Sequence, residues 1–268
     1  MPNSVRPAAV AGQFYPGVAD ALRQQLNALL AQEQSQPATP PTALIVPHAG
    51  YRYSGATAAL AYQQLAGFAQ QWQQILLLGP AHRVAFKGIA SSTHHDWQTP
   101  LGNYPVDRQA VDYLQQQGLV RPFDLAHQEE HSLEVQIPFL QQLLPQGRLI
   151  PLLVGTAATA EISAVIEALW TPTAALLVVV STDLSHFLNA DSATERDSAT
   201  ATAITQRHPE ALHQGDACGI RPLAALLTFA RERQWRVEQL ELCNSSRSSG
   251  DYQRVVGYGS FALYPGHP

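Results

Sequence analysis

The sequence predicts an α/β fold with a mainly parallel sheet covered by helices on both faces. Three observations point there. Short, uninterrupted apolar runs alternate along the chain with stretches of helical periodicity, the pattern of strands joined by crossover helices. The runs at 42–46, 75–78, 149–154 and 174–180 lack the in-out alternation of a half-solvated strand, as expected of strands buried on both faces. No repeat, composition shift or convincing linker divides the 268 residues, so 1–268 reads as a single domain.

The elements follow in order. The stretch 19–32 places Leu22, Leu26 and Leu29 or Leu30 on one helical face, then dissolves into a Pro/Gln/Ser segment over 34–41. The run 42–46 is the first buried strand, followed by a loop over 47–55 that carries Gly50 and Gly55 and by a helix over 56–70. The run 75–78 is the second, ended by Gly79 and Pro80. Residues 107–117 read as a helix with Asp107 near its start and Gly118 as its stop. In 129–144, Leu133, Ile137, Leu140 and Leu144 keep helical spacing, while Pro138 marks a kink or a later start. A strand over 149–154, a helix over 158–170 and the most apolar strand, 174–180, come next. Helices over 192–207 and 222–234 and strand-like runs over 237–243 and 255–264 close the chain.

Composition removes several functional classes. With 46% hydrophobic and 14% charged residues the chain is not disordered as a whole. A formal net charge of −5 argues against a nucleic-acid-binding surface. Lys87 is the only lysine, so lysines cannot assemble a membrane-binding patch. No run approaches the ~18 apolar residues of a membrane span, and the first residues lack the apolar core of a signal peptide. Two cysteines, Cys218 and Cys243, cannot make a disulfide framework. A reducing cytoplasm is the expected setting, where a cysteine is a thiol or a ligand.

In open α/β sheets, ligands sit outside the carboxyl ends of the strands. Four such ends carry chemistry here: His48 after the first run, His82 after the second, Asp183 and His186 after 174–180, and Cys243 after 237–242. Imidazole and thiolate suit Fe(II), Cu or Zn rather than Mg or Ca. Cys243 reads equally as a ligand or a small buried hydrophobe. Cys218 is the weaker thiol candidate, because it precedes Gly219 at a helix start instead of ending a strand. Arg52, Tyr51 and Tyr53, on the loop after His48, either orient an anionic or aromatic ligand or simply pack. His186 reads as an acid/base rather than a ligand, since a ligated imidazole has no lone pair left for a proton; its bland alternative is a turn-stabilising hydrogen bond to Asp183.

Three local patterns bear on the choice. HQEEH at 127–131 fits the H-x-x-E-H of one metalloprotease class, but helical periodicity starts only at Leu133. The stretch 257–262 fits a dinucleotide fingerprint, yet only six residues follow Ala262, too few for the helix that would hold a pyrophosphate. Glu130, His131 and Glu134 stand at one-turn spacing, either as an acidic cluster raising the basicity of a histidine or as an exposed acidic first turn complementing a helix dipole.

These residues also carry a family resemblance. PHAGY at 47–51 with Ser54 and Gly55, LGPAH at 78–82, EEHSLE at 129–134, STDLSH at 181–186 and CNSS at 243–246 resemble the Memo family, whose prokaryotic members are also called AmmeMemoRadiSam system protein B. RPAAVAGQFYP at 6–16 matches too, so the resemblance runs from about residue 6 to about 263. It implies a single-domain three-layer α/β/α sandwich similar to the class III extradiol dioxygenases, which are non-haem iron enzymes. It implies His48, His82 and Cys243 as metal ligands, with Asp183 and His186 lining the same pocket and His131 with Glu130 as a further wall. His186 falls where the dioxygenases place an acid/base histidine. The family is associated with redox chemistry at bound iron or copper; its system name implies a radical-SAM partner, and its animal members are linked to phosphotyrosine-peptide binding.

One departure is chemical. The dioxygenases use two histidines and a carboxylate, whereas here a thiolate takes the carboxylate's place. A thiolate is itself oxidisable, which points away from ring-cleaving oxygen chemistry. The expectation is a cytoplasmic redox protein holding Fe(II), with Cu second and Zn possible. Its competitor is a non-catalytic module that docks a phosphorylated or carboxylated small molecule or peptide on Arg52.

Overall fold

The computed structural model describes residues 4–31, 37–171 and 173–266, so part of the expected 34–41 segment lies outside the described residues. The chain opens with β1 (Val5–Arg6), α1 (Ala19–Leu30), β2 (Ala43–Val46), α2 (Tyr51–Gln63) and β3 (Gln74–Pro80). It continues through three short strands, β4 (Ile89–Ser91), β5 (Asp96–Thr99) and β6 (Gly102–Pro105), to α3 (Arg108–Gln116), β7 (Arg121–Pro122) and α4 (Asp124–Gln128). Then come α5 (Ile137–Leu143), β8 (Arg148–Val154), α6 (Thr159–Leu169), β9 (Leu176–Ser181) and β10 (His186–Leu188). The last elements are α7 (Ala190–Gln206), α8 (Ile220–Glu232), β11 (Arg236–Asn244), α9 (Ser246–Ser249) and β12 (Val255–Tyr264).

The main sheet runs β10-β12-β2-β9-β3-β8-β4-β7, with β11 on the free side of β12. Its centre, β2-β9-β3-β8, is parallel and buried apart from Gln74 and Arg148 at the strand starts, as the continuous apolar runs require. Its flanks are not parallel: β12 is antiparallel to β2 and to β11, and β4 is antiparallel to β8. The sheet is therefore mixed, because 237–243 and 255–264 follow one another without a helix long enough to cross over. Helices α1, α2 and α5 pack as one group and α3, α6 and α8 as another, giving the three layers. A second small sheet joins β1, β5 and β6.

Local signals explain the boundaries. Asp107 caps α3 by accepting from Ala110 N at 3.0 Å, and Gly118 beyond its end adopts φ 71°. Pro138 marks a start, not a kink: α5 begins at Ile137, where a missing N–H costs nothing. The α-helix expected from 129 therefore forms only from 137, after a 3-10 turn over Glu134–Gln136, and residues 129–133 lie in the irregular stretch before it. β4 to β6 had no forerunner in the periodicity, being only three or four residues each. No helix among the described residues is long and apolar enough to cross a membrane.

Candidate metal centre

The carboxyl ends of β2, β3 and β9 bring His48, His82 and Asp183 to one edge of the sheet. His48 is buried, and its Nδ1 lies 3.0 Å from Ser181 Oγ. Its backbone N–H donates to Asp183 Oδ1 at 2.7 Å. His82 Nδ1 meets Glu130 Oε1 at 2.9 Å, and its backbone N–H donates to Glu130 Oε2 at 2.5 Å. The rings of His48, His82 and His131 have their centroids 4.8–5.4 Å apart.

The thiol beside this pair is Cys218. Its Sγ is 3.2 Å from His48 Nε2 and accepts from Asp183 N at 3.3 Å. Donor atoms of His48, His82 and Cys218 all lie within 4.8 Å of one another, as do those of His82, Glu130 and His131. Gly219 makes the approach possible: a Cβ there would stand 2.7 Å from Thr182 Cβ. Gly219 N donates to Thr182 Oγ1 at 2.8 Å and Cys218 N to Asp183 O at 3.2 Å, which pins the start of α8 onto the end of β9.

Cys243, expected as the ligand, belongs to neither group. It does end its strand at the same sheet edge, but β12 separates β11 from β2. At ~4.8 Å per strand that is about 10 Å of lateral offset. Its Sγ instead sits 3.2 Å from Thr57 Oγ1, whose hydroxyl also donates to Glu241. The sequence signal for Cys218 was a Cys-Gly pair opening a helix, which does not say which strand end the loop crosses.

The other candidates divide. Asp183 is buried at the centre, whereas His186 begins β10, is half-buried, and lies outside both donor groups. Tyr51 is buried and its hydroxyl donates to Val135 O at 2.7 Å, so it packs instead of facing a ligand. Arg52 and Tyr53 are exposed in the first turn of α2, the guanidinium 5.4 Å from the ring centroid. Glu130 and Glu134 are both buried, so neither forms an exposed acidic turn. Glu130 also accepts from the backbone N–H groups of His131 and Ser132 at 3.0 Å. His131 Nδ1 lies 3.2 Å from Glu130 Oε1 without hydrogen-bond geometry. Gly79 permits this loop to close on β3, since a Cβ there would meet Leu133 Cδ2 at 2.8 Å.

Burial sets the charge states. Desolvation and the neighbouring His82 hold His48 down at about 3, and desolvation with His48 holds His131 at about 4. Desolvation and the Asp183 carboxylate push the Cys218 thiol up to about 12. Glu130 moves the other way: burial opposes its charge, but the hydrogen bonds from His82 and Ser132 outweigh it and keep the carboxylate ionised. Two neutral imidazoles, a thiol and an anionic carboxylate thus meet at one sheet edge. A cavity of about 240 Å3 opens beside Cys218, walled by Pro80, Ala81, Val84, Phe86 and Arg221. A larger cleft of about 910 Å3 lies at the opposite, amino end of β3 and β8 and contains none of these groups.

The H-x-x-E-H pattern comes apart in three dimensions. His127 lies in α4, fully buried against Trp97, with Nε2 3.2 Å from Ala90 O, while Glu130 and His131 lie beyond the helix end. Desolvation and the Arg6 charge lower His127 to about 4. Between pH 6.5 and 4 the unfolded chain protonates this histidine and the folded protein does not, so stability falls as pH drops through that window. His127→Gln is expected to shrink the stability difference between pH 7 and pH 4 by about 3 kcal/mol, the equivalent of moving an imidazole from 6.5 to about 4. Urea unfolding at the two pH values measures it; an unchanged difference contradicts it.

A family model described as Memo-like protein matches residues 6–262. A MEMO1 family protein of Thermoplasma acidophilum is 33% identical over 263 residues, covering 95% of this chain and 97% of the relative. Relatives with the same family name occur in Thermotoga maritima, at 30% identity over 97% of this chain and 99% of theirs, and in Aquifex aeolicus, at 31% over 95% and 97%. An uncharacterized protein of Escherichia coli K12 shares the fold, with a TM-score of 0.52 at 16% identity over 82% of this chain and 98% of that one. The family model over 6–262 and the near-full-length relatives agree: the chain belongs to the Memo family.

Proposed function

We propose that this Memo family protein binds a metal ion through His48, His82 and Cys218 and supports redox chemistry there, with Fe(II) the best match and Cu or Zn the alternatives. The reading is carried by the convergence of two imidazoles and a thiol within 4.8 Å. The residues fit such an ion. The Nδ1 atoms of both histidines are engaged, by Ser181 and by Glu130, which leaves each Nε2 as the donor. Imidazole with thiolate is a borderline-soft set suited to these metals, and the thiol gives up its proton on binding. Bound iron or copper would supply one-electron redox chemistry. Asp183 holds the His48 backbone and the Cys218 sulfur in register, and His186, outside the ligand group, is the acid/base of this reading.

Metal analysis of anaerobically purified protein tests this. Wild type should carry close to stoichiometric metal and His48→Gln none. His186→Gln should keep the metal and lose metal-dependent oxygen uptake. Equal, substoichiometric metal in wild type and His48→Gln ends the metal reading; loss of metal from His186→Gln makes that residue a ligand.

A second reading rests on Arg52, whose exposed guanidinium pairs with no described carboxylate. It predicts binding of phenyl phosphate that survives metal removal and disappears in Arg52→Gln.

A further inference from the structure

Ser181 Oγ has three neighbours: Ser132 O at 2.6 Å, Gln136 Nε2 at 2.9 Å and His48 Nδ1 at 3.0 Å. A hydroxyl has one proton to donate and two lone pairs to accept with. Ser132 O is a carbonyl and only accepts, so the Ser181 proton is spent on it. The Gln136 amide is oriented by its other contacts. Its Nε2 faces Pro47 O at 2.9 Å, another pure acceptor, and its Oε1 accepts from Tyr62 OH at 3.0 Å. Nε2 therefore donates to Ser181. The one role left for His48 Nδ1 is donor.

We propose that Ser181 is a positioning residue that fixes metal-free His48 in the tautomer protonated at Nδ1, with Gln136 and Tyr62 holding the hydroxyl in place. The consequence lies on the other side of the ring. Nε2 presents its lone pair to Cys218 Sγ at 3.2 Å, where the thiol proton is its natural partner until an ion displaces it. The donor atom is thus exposed in advance, without a proton to shed or a ring to flip. His82 is set the same way, its Nδ1 facing Glu130 Oε1, an oxygen that also accepts from the N–H groups of His131 and Ser132. Ser132, Gln136 and Ser181 are all fully or almost fully buried, so no exposed water competes for these bonds. For its purpose, though not for the proton count, the proposal rests on the metal reading above.

The test is a long-range proton–nitrogen correlation spectrum of metal-free protein labelled with 15N-histidine, the His48 signal being assigned by its loss in His48→Gln. Wild type should show His48 protonated at Nδ1 and not at Nε2. Ser181→Ala should mix the two tautomers and weaken Fe(II) binding by about 10- to 100-fold, the usual effect of losing an outer-shell partner. Ser181→Thr, which keeps the hydroxyl, should restore both. An Nε2-protonated His48 in wild type overturns the proposal, and needs no variant to fold. So does Ser181→Ala with an unchanged tautomer. Failure of wild type to bind Fe(II) overturns the metal reading instead, while the tautomer spectrum still decides this one.

Discussion

Cys218→Ser is expected to weaken Fe(II) binding by more than about 100-fold, beyond the range seen when only an outer-shell partner is lost, whereas Cys243→Ser leaves it unchanged. The contrast follows from placement, since both thiols are partly exposed, both are uncrosslinked and both have raised pKa values. Cys218 Sγ touches His48 Nε2, and a serine hydroxyl is a far poorer ligand for a borderline-soft ion than a thiolate. Cys243 Sγ contacts Thr57 and shares its surroundings with Glu241 and Arg247, on a strand separated from β2 by β12. Anaerobic Fe(II) titration against a competing chelator reads both variants. Retained affinity in Cys218→Ser, or equal loss in Cys243→Ser, would return the thiol ligand to the strand end where the sequence reading put it.

Glu134→Ala should cost about 3–5 kcal/mol, the range for removing one partner of a buried ion pair. That is a large fraction of the 5–15 kcal/mol that typically holds a domain together. Glu134 is fully buried and gathers the amino-terminal arm: Arg6 Nη1 at 2.6 Å, Ala9 N at 2.8 Å, Val10 N at 3.0 Å and Tyr15 OH at 2.6 Å. Arg6 in turn donates to the carbonyls of His127 and Glu130 at 2.9 and 2.8 Å and lies over Trp97. Truncating Glu134 leaves a buried guanidinium without its counter-charge and two backbone N–H groups without an acceptor. The damage extends to the segment that carries Glu130 and His131. Glu129→Ala, on an exposed neighbour, is the control and should stay within about 0.5 kcal/mol. Urea unfolding compares them; a Glu134→Ala loss under about 1 kcal/mol removes the arm's anchor from the account.

Much of the framework is legible in the residues alone. The continuous apolar runs that become β2, β3, β8 and β9 have the length and unbroken apolar character of strands covered on both faces, and they form the parallel centre of the sheet. Because ligands gather at carboxyl strand ends, His48, His82 and Asp183 stand out in the sequence itself, and the family motifs mark the same positions. Asp107 and Pro138 announce helix starts through local chemistry that acts within one turn.

The rest depended on contacts between residues far apart in the chain. Strand order decides which thiol reaches the histidines: β11 ends at the correct edge but two places away, while Cys218 arrives from a loop that crosses β9, allowed by Gly219. Glu130 and Glu134, four residues apart, would share a face on a helix. The segment instead bends between Glu130 and a 3-10 turn that starts at Glu134, sending one carboxylate to His82 and the other to Arg6. The roles of Ser181 and Gln136 depend on a hydroxyl and an amide meeting across 45 residues of sequence. Local sequence determined the elements and their exposed ends, because propensity, capping and periodicity act over a few residues. Only the packed structure decided which polar atoms lie together, because such a group is defined by distances of a few ångströms between strands whose order no local signal encodes.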